Sequence, residues 1–178
     1  MKKLTISKLI LAAATVSSCG LAVAQSDWRP MRQIIFDSER LHSTGSDADR
    51  AIMEALWAKD LKEHRVGLPV FTLIGDADIA GQRVVFSLLD TAGSERCDLA
   101  GEDPKSASGY NTLCTMLVTR WPSTGQAPSE IQGQCMLSYS DNQARNRMEY
   151  RVDKMQVHFR TIENGKVVPE CNRLLKLQ

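Results

Sequence analysis

The sequence predicts an α+β domain: two N-terminal helices packed on one face of an antiparallel, meander-like sheet of five to seven strands, disulfide-stabilised. Three observations carry that expectation. Apolar residues recur at helical spacing through the first third of the chain, and after Val70 they fall into short β-branched and aromatic runs. Turn residues separate those runs with no helical pattern between them, so consecutive strands should be antiparallel. Four cysteines, Cys97, Cys114, Cys135 and Cys171, occupy the second half behind an export leader, an even count that reads as two disulfides in an oxidising compartment.

The leader is Met1-Lys2-Lys3, Lys8 and an apolar run from Leu9 to Val16, well short of the ~20 residues a membrane span needs. Ala22-Val23-Ala24 has the small-x-small shape of a cleavage site, so residues 1–24 read as a secretory signal peptide and residues 25–178 as a single domain starting at Gln25. A second reading is open: Val16-Ser17-Ser18-Cys19-Gly20 is a loose version of the site at which bacterial lipoproteins are cut, which would anchor the chain at a lipidated Cys19. Losing Lys2, Lys3 and Lys8 leaves 19 basic against 21 acidic residues. That near-neutral balance argues against nucleic-acid binding and against an anionic membrane surface, which both call for a basic excess. Membrane association then enters only through Cys19.

Asp27 and Pro30 mark a helix start, and Met31, Ile34, Ile35 and Leu41 follow near helical spacing, giving a first helix from Pro30 to His42. Ser43-Thr44-Gly45-Ser46 interrupts it. Ser46 caps a second helix whose stripe is Ile52, Met53, Leu56, Trp57 and Leu61, with Asp47 and Asp49 at its positive end. Gly67 and Pro69 forbid its continuation.

Val70 to Ile74, Arg83 to Leu89 and Thr112 to Trp121 are apolar on both faces, which places them mid-sheet. Gln134 to Ser140 and Arg147 to Ile162 alternate and should be partly open to water. In the last stretch Met148, Tyr150, Val152, Met155, Val157 and Phe159 face inward, with one slip between Val152 and Met155. A one-residue bulge is preferred there to a two-residue turn at Asp153-Lys154, because neither turn residue is Gly or Asn. Glu163-Asn164-Gly165-Lys166 fits a tight hairpin, and Pro169 should end the pairing before Cys171. Three disulfide pairings are possible. Cys97 with Cys114 and Cys135 with Cys171 is favoured, since each then ties neighbouring strands or a chain end.

Candidate chemistry is sparse. Asp76-Ala77-Asp78-Ile79-Ala80-Gly81 starts like a calcium loop but has Ala80 and Ser87 where oxygen ligands belong, so a polar hairpin tip is the better account. His42, His64 and His158 have no metal-sharing spacing, and the usual hydrolase signatures are absent. No metal or cofactor is expected. Arg147, Arg151, Lys154, His158 and Arg160 make a basic stripe on the wet side of the last strands, with Glu149 as internal partner. The loop from Asp98 to Asn111, bearing Asp98, Glu102 and Asp103, is long enough to be a working surface, and Trp121 before Pro122 offers a ring for contact. These residues point to a non-catalytic periplasmic protein with a protein partner in the envelope, of the inhibitor or immunity type that blocks an envelope-acting enzyme or toxin. The alternatives are a small periplasmic hydrolase with dispersed carboxylates and a lipid-anchored assembly factor.

Overall fold

The segment expected to form the first helix is extended. The computed structural model describes residues 27–37, 42–63, 70–90, 96–97, 111–123, 125–137 and 140–177, and it places β1 at Arg29–Pro30 and β2 at Arg32–Asp37. The reason is which way the side chains point. Met31 and Ile35 join one apolar cluster while Ile34 and Phe36 join another, so a chain covered on both faces imitates helical spacing. The leader, Cys19, Gln25, and the loop residues Asp98, Glu102 and Asp103 lie outside the described residues.

The fold class changes accordingly. The described residues are mostly β, with two antiparallel sheets, two short helices and two disulfides among them, and their organising contact is sheet on sheet instead of helices on a sheet. The larger sheet runs β3 (His42–Ser43), β2, β4 (Val70–Ile79), β5 (Gln82–Asp90), β6 (Asn111–Arg120), β7 (Ser129–Leu137). The smaller runs β1, β8 (Arg147–Asp153), β9 (Gln156–Glu163), β10 (Lys166–Lys176). Phe71, Leu73, Phe86, Leu88 and Met116 from the first meet Met148, Tyr150, Val157 and Phe159 from the second in one core. Each large side chain buried there contributes roughly 1.5–3 kcal/mol.

The opposite faces of β4, β5 and β6 supply Val70, Ile74, Val85, Leu89 and Leu117 to a second cluster with Ile52, Met53 and Trp57. Helix α1 (Asp47–Leu56) starts as expected, with the Ser46 side chain accepting from the Asp49 amide, and a bend at Trp57 separates it from α2 (Ala58–Glu63). The buried Trp57 indole donates to Ser87 Oγ at 2.9 Å, which satisfies both groups.

Three hairpin turns set the registers. Ala80-Gly81 and Asn164-Gly165 both hold positive φ at two successive residues, the backbone of a tight hairpin. The slip between Val152 and Met155 is also a hairpin and not a bulge: Asp153 pairs with Gln156, and Lys154 takes the positive φ of 55° that a Gly would normally supply. Met155 therefore sits in the turn and is exposed. The segment 76–81 does end in a hairpin tip, at Ala80-Gly81, while Asp76 and Asp78 lie in the strand that leads to it. The strand expected from Gln134 to Ser140 begins at Ser129, and its residues Gln134 to Leu137 are buried, Met136 and Leu137 in the shared core. Pro169 interrupts pairing without ending it. Val168 faces Thr161 and Arg173 faces Phe159, so Pro169 to Asn172 bow out opposite Arg160 alone and pairing then resumes.

That bow carries Cys171 to Cys135 on β7, and Cys97 is joined to Cys114 on β6, the favoured pairing. The first bridge staples the β10 edge of the small sheet to the β7 edge of the large one. At the other edge the chain itself crosses between sheets at Met31, whose buried side chain and amide bond to Met148 O at 2.8 Å fix the crossing.

Candidate functional site

Strands β8 and β9 alternate, so with Met148, Tyr150, Val157 and Phe159 turned into the core, Arg147, Glu149, Arg151, His158 and Arg160 must turn outward. Cross-strand register brings them together: Glu149 faces Arg160 and Arg151 faces His158. The charges then sort into two groups. Glu149, only 5 % exposed, accepts from Arg147 Nε at 2.7 Å on one oxygen and from Arg160 Nε and Nη2 at 2.7 and 2.6 Å on the other. Arg147 spends a further nitrogen on the carbonyls of Gln143 and Ala144. These two arginines are anchors, held by the one carboxylate they enclose.

Arg151, Lys154 and His158 have no ion-pair partner among the described residues. Arg151 Nε is moreover buried with no hydrogen-bond partner. What buries it is Trp28. The register of β1, with Arg29 across from Tyr150, sets Trp28 across from Arg151. Its ring lies 4.1 Å from the Arg160 guanidinium carbon and 5.3 Å from that of Arg151. Such stacking holds guanidinium planes flat while leaving their edges free to donate.

Beside this stack the β10 bow opens a shallow cleft of about 370 Å³ lined by Trp28, His158, Arg160, Asn172, Arg173 and Leu174. Leu174 is 49 % and Val167 42 % exposed, both among the few large apolar side chains that the described residues leave in water. Arg173 is structural, donating to Gly133 O on β7 at 3.0 Å and to the carbonyls of Glu170 and Asn172. The face thus combines an aromatic ring, free guanidinium donors and two aliphatic side chains.

Of the residues singled out in the sequence, Arg147, Arg151, His158 and Arg160 come together here, and Lys154 stands at the tip of the same hairpin. Trp121 does not join them. It ends β6 packed against the cluster that holds Trp57, with its amide donating to Arg83 O at 2.8 Å. Trp28, Val167, Asn172 and Leu174 were not legible, because their place depends on the pairing of β1 with β8 and on the bow in β10. No group of three or more metal-ligating side chains occurs among the described residues.

Four other acids act as clamps. Asp49 and Asp76 hold Arg32, with Arg32 Nη2 at 2.8 and 2.6 Å, and Asp76 also accepts from Arg83 at 3.0 Å. Asp60 and Glu130 hold Arg96 at 2.8 Å each, and that guanidinium lies 5.6 Å from the Trp57 ring. The Asp60 and Glu130 hydrogen bonds raise the Arg96 pKa and keep it charged. The chain matches no protein-family profile, no curated protein and no solved structure.

Proposed function

We propose that this chain is a non-catalytic periplasmic binding protein that docks a protein partner through the outer β1-β8-β9-β10 face, as an inhibitor or immunity-type protein blocking an envelope-acting enzyme or toxin. The observation that carries the reading is Arg151, without an ion-pair partner among the described residues and stacked on Trp28, whose ring lines a cleft with exposed Leu174 and Val167. A carboxylate from outside that met the outer nitrogens of the Arg151 guanidinium would form a charge-assisted pair. Trp and Arg ringed by small apolar contacts are the composition of interface hot spots. Arg151, Lys154 and His158 also supply donors to match the acids that line many enzyme clefts. The two disulfides support an oxidising, exported compartment, of which the periplasm is the simplest instance.

A hydrolase with dispersed carboxylates is the weaker reading, because the buried acids Asp49, Asp60 and Glu149 are each committed to arginines. The test is capture of a stoichiometric partner from envelope fractions by the immobilised, disulfide-intact chain, repeated with Trp28→Ala and Arg151→Glu. Each variant should weaken capture by about tenfold or more while the melting temperature holds. Capture that survives both substitutions, or no partner at all, overturns the proposal.

A further inference from the structure

A second groove lies away from that face, at the end of the two-sheet core where the β4–β5 turn, the β8–β9 turn and the end of β10 converge. It measures about 590 Å³, and its apolar wall consists of Ile79, Val84, Val118, Ile131, Leu175 and Leu177. That volume lies within the range of small-molecule sites, and the lining is mixed, with this apolar wall facing the polar side chains of Gln82, Thr119, Gln126 and Ser129. The groove is a built feature and not a gap between loose ends. Leu177 N–H donates to Met155 O at 2.9 Å, tying β10 to the hairpin tip, and Trp121 N–H ties β6 to Arg83 across the opposite wall.

The charges at its rim identify the occupant. Arg120 and Lys176 border the groove, both exposed and with no ion-pair partner among the described residues, and no acidic side chain lines it. A groove with one apolar wall and two cations at its rim suits a molecule with one hydrocarbon chain and one anionic head. We infer that this end of the sandwich binds a single-chain fatty carboxylate, the tail lying between the sheets along Ile131 and Val118 and the carboxylate meeting Arg120 and Lys176. Met155, an exposed methionine on the turn, forms an adaptable lip for chains of different length.

This site is independent of the Trp28 face, so either can fail alone. The disulfide-intact mature chain is titrated with dodecanoate below its micellar concentration, by calorimetry and by amide chemical shifts. Saturable binding is expected, with shifts at Val84, Val118, Ile131 and Leu175. Arg120→Glu combined with Lys176→Glu should weaken it about tenfold or more, since attraction becomes repulsion at the head. Dodecyl maltoside, with an identical tail and a neutral head, should bind about tenfold more weakly than dodecanoate. Ile131→Trp should fill the trough and abolish saturation. Should that variant not fold, the charge-reversed pair, both exposed, decides the matter. Absence of saturable binding, shifts grouped around Trp28 and His158, or undiminished binding by the charge-reversed chain overturns the inference.

Discussion

Gly75 stands in the middle of β4 directly across from Phe86, and a methyl group added there would overlap the Phe86 ring and come within 3.1 Å of Tyr150 Cε1. The missing side chain is what lets Phe86 lie over the strand and meet Tyr150 and Phe159 edge-on, with centroids 4.8 and 5.2 Å away. Gly75→Ala should therefore destabilise by about 1–3 kcal/mol, as overpacking does. Thermal melts should show a fall of several degrees, and an unchanged melting temperature would mean Phe86 moves aside freely. Charge gives a second prediction at this scale. Burial alone would raise the Asp76 carboxyl, but hydrogen bonds from Arg32 and Arg83, with their charges, hold it below the usual carboxylate range. A folded pKa below the unfolded one stabilises fully above about pH 4 and is lost as pH falls through the folded value. Burial raises the Asp90 carboxyl, so Asp90 acts with the opposite sign, weakening the fold as pH climbs above about 4. In urea titrations Asp76→Asn should lower the midpoint at pH 7 and not at pH 2, while Asp90→Asn should raise it at pH 7 and not at pH 2.

At the scale of elements, the β8–β9 hairpin holds Lys154 at φ 55°, a conformation that costs a side-chain-bearing residue about 1–2 kcal/mol. Lys154→Gly should relieve that cost, partly offset by the greater freedom of glycine when unfolded, for a net gain of about 0.5–1 kcal/mol. A higher urea midpoint with unaltered slope checks it; a lower one would mean that Lys154 holds the turn by other means. The same hairpin shows where sequence reading stops. Alternation in Arg147–Ile162 identified the strands and the outward stripe, and Asn164-Gly165 identified the next turn, because each signal is local. The Lys154 turn lacked its expected glycine, so a bulge looked better. Met31 and Ile34 spelled a helix because the two clusters that cover β2 from opposite sides come from segments at least a dozen residues away. Ile34-Ile35-Phe36, β-branched and aromatic in succession, was the signal for a strand. Trp28 carried no signal, since only pairing with β8, more than a hundred residues on, puts its ring over Arg151 and Arg160.

Across the whole molecule, the two sheets form one core closed at both edges, by the Met31 crossing on one side and the Cys135–Cys171 bridge with the Arg173–Gly133 bond on the other. Neither sheet can leave without exposing the apolar face of the other, so the bridges act on the fold as a unit. The bridges close segments of 17 and 36 residues, worth about 3 and about 4 kcal/mol in the chain-entropy account. Their loops do not overlap in sequence, so the two contributions should add to within a few tenths of a kcal/mol. Their sum of about 7 kcal/mol rivals the entire 5–15 kcal/mol stability of an ordinary domain. The reduced chain should thus melt about 15–30 °C below the oxidised one. Cys135→Ser with Cys171→Ser should account for the larger share and should loosen β10 first, seen as faster amide exchange from Val168 to Arg173. A melting temperature that stays put after complete reduction, verified by thiol counting, would show that burial in the shared core suffices without the bridges. It would also remove the physical reason for this chain to need an oxidising compartment.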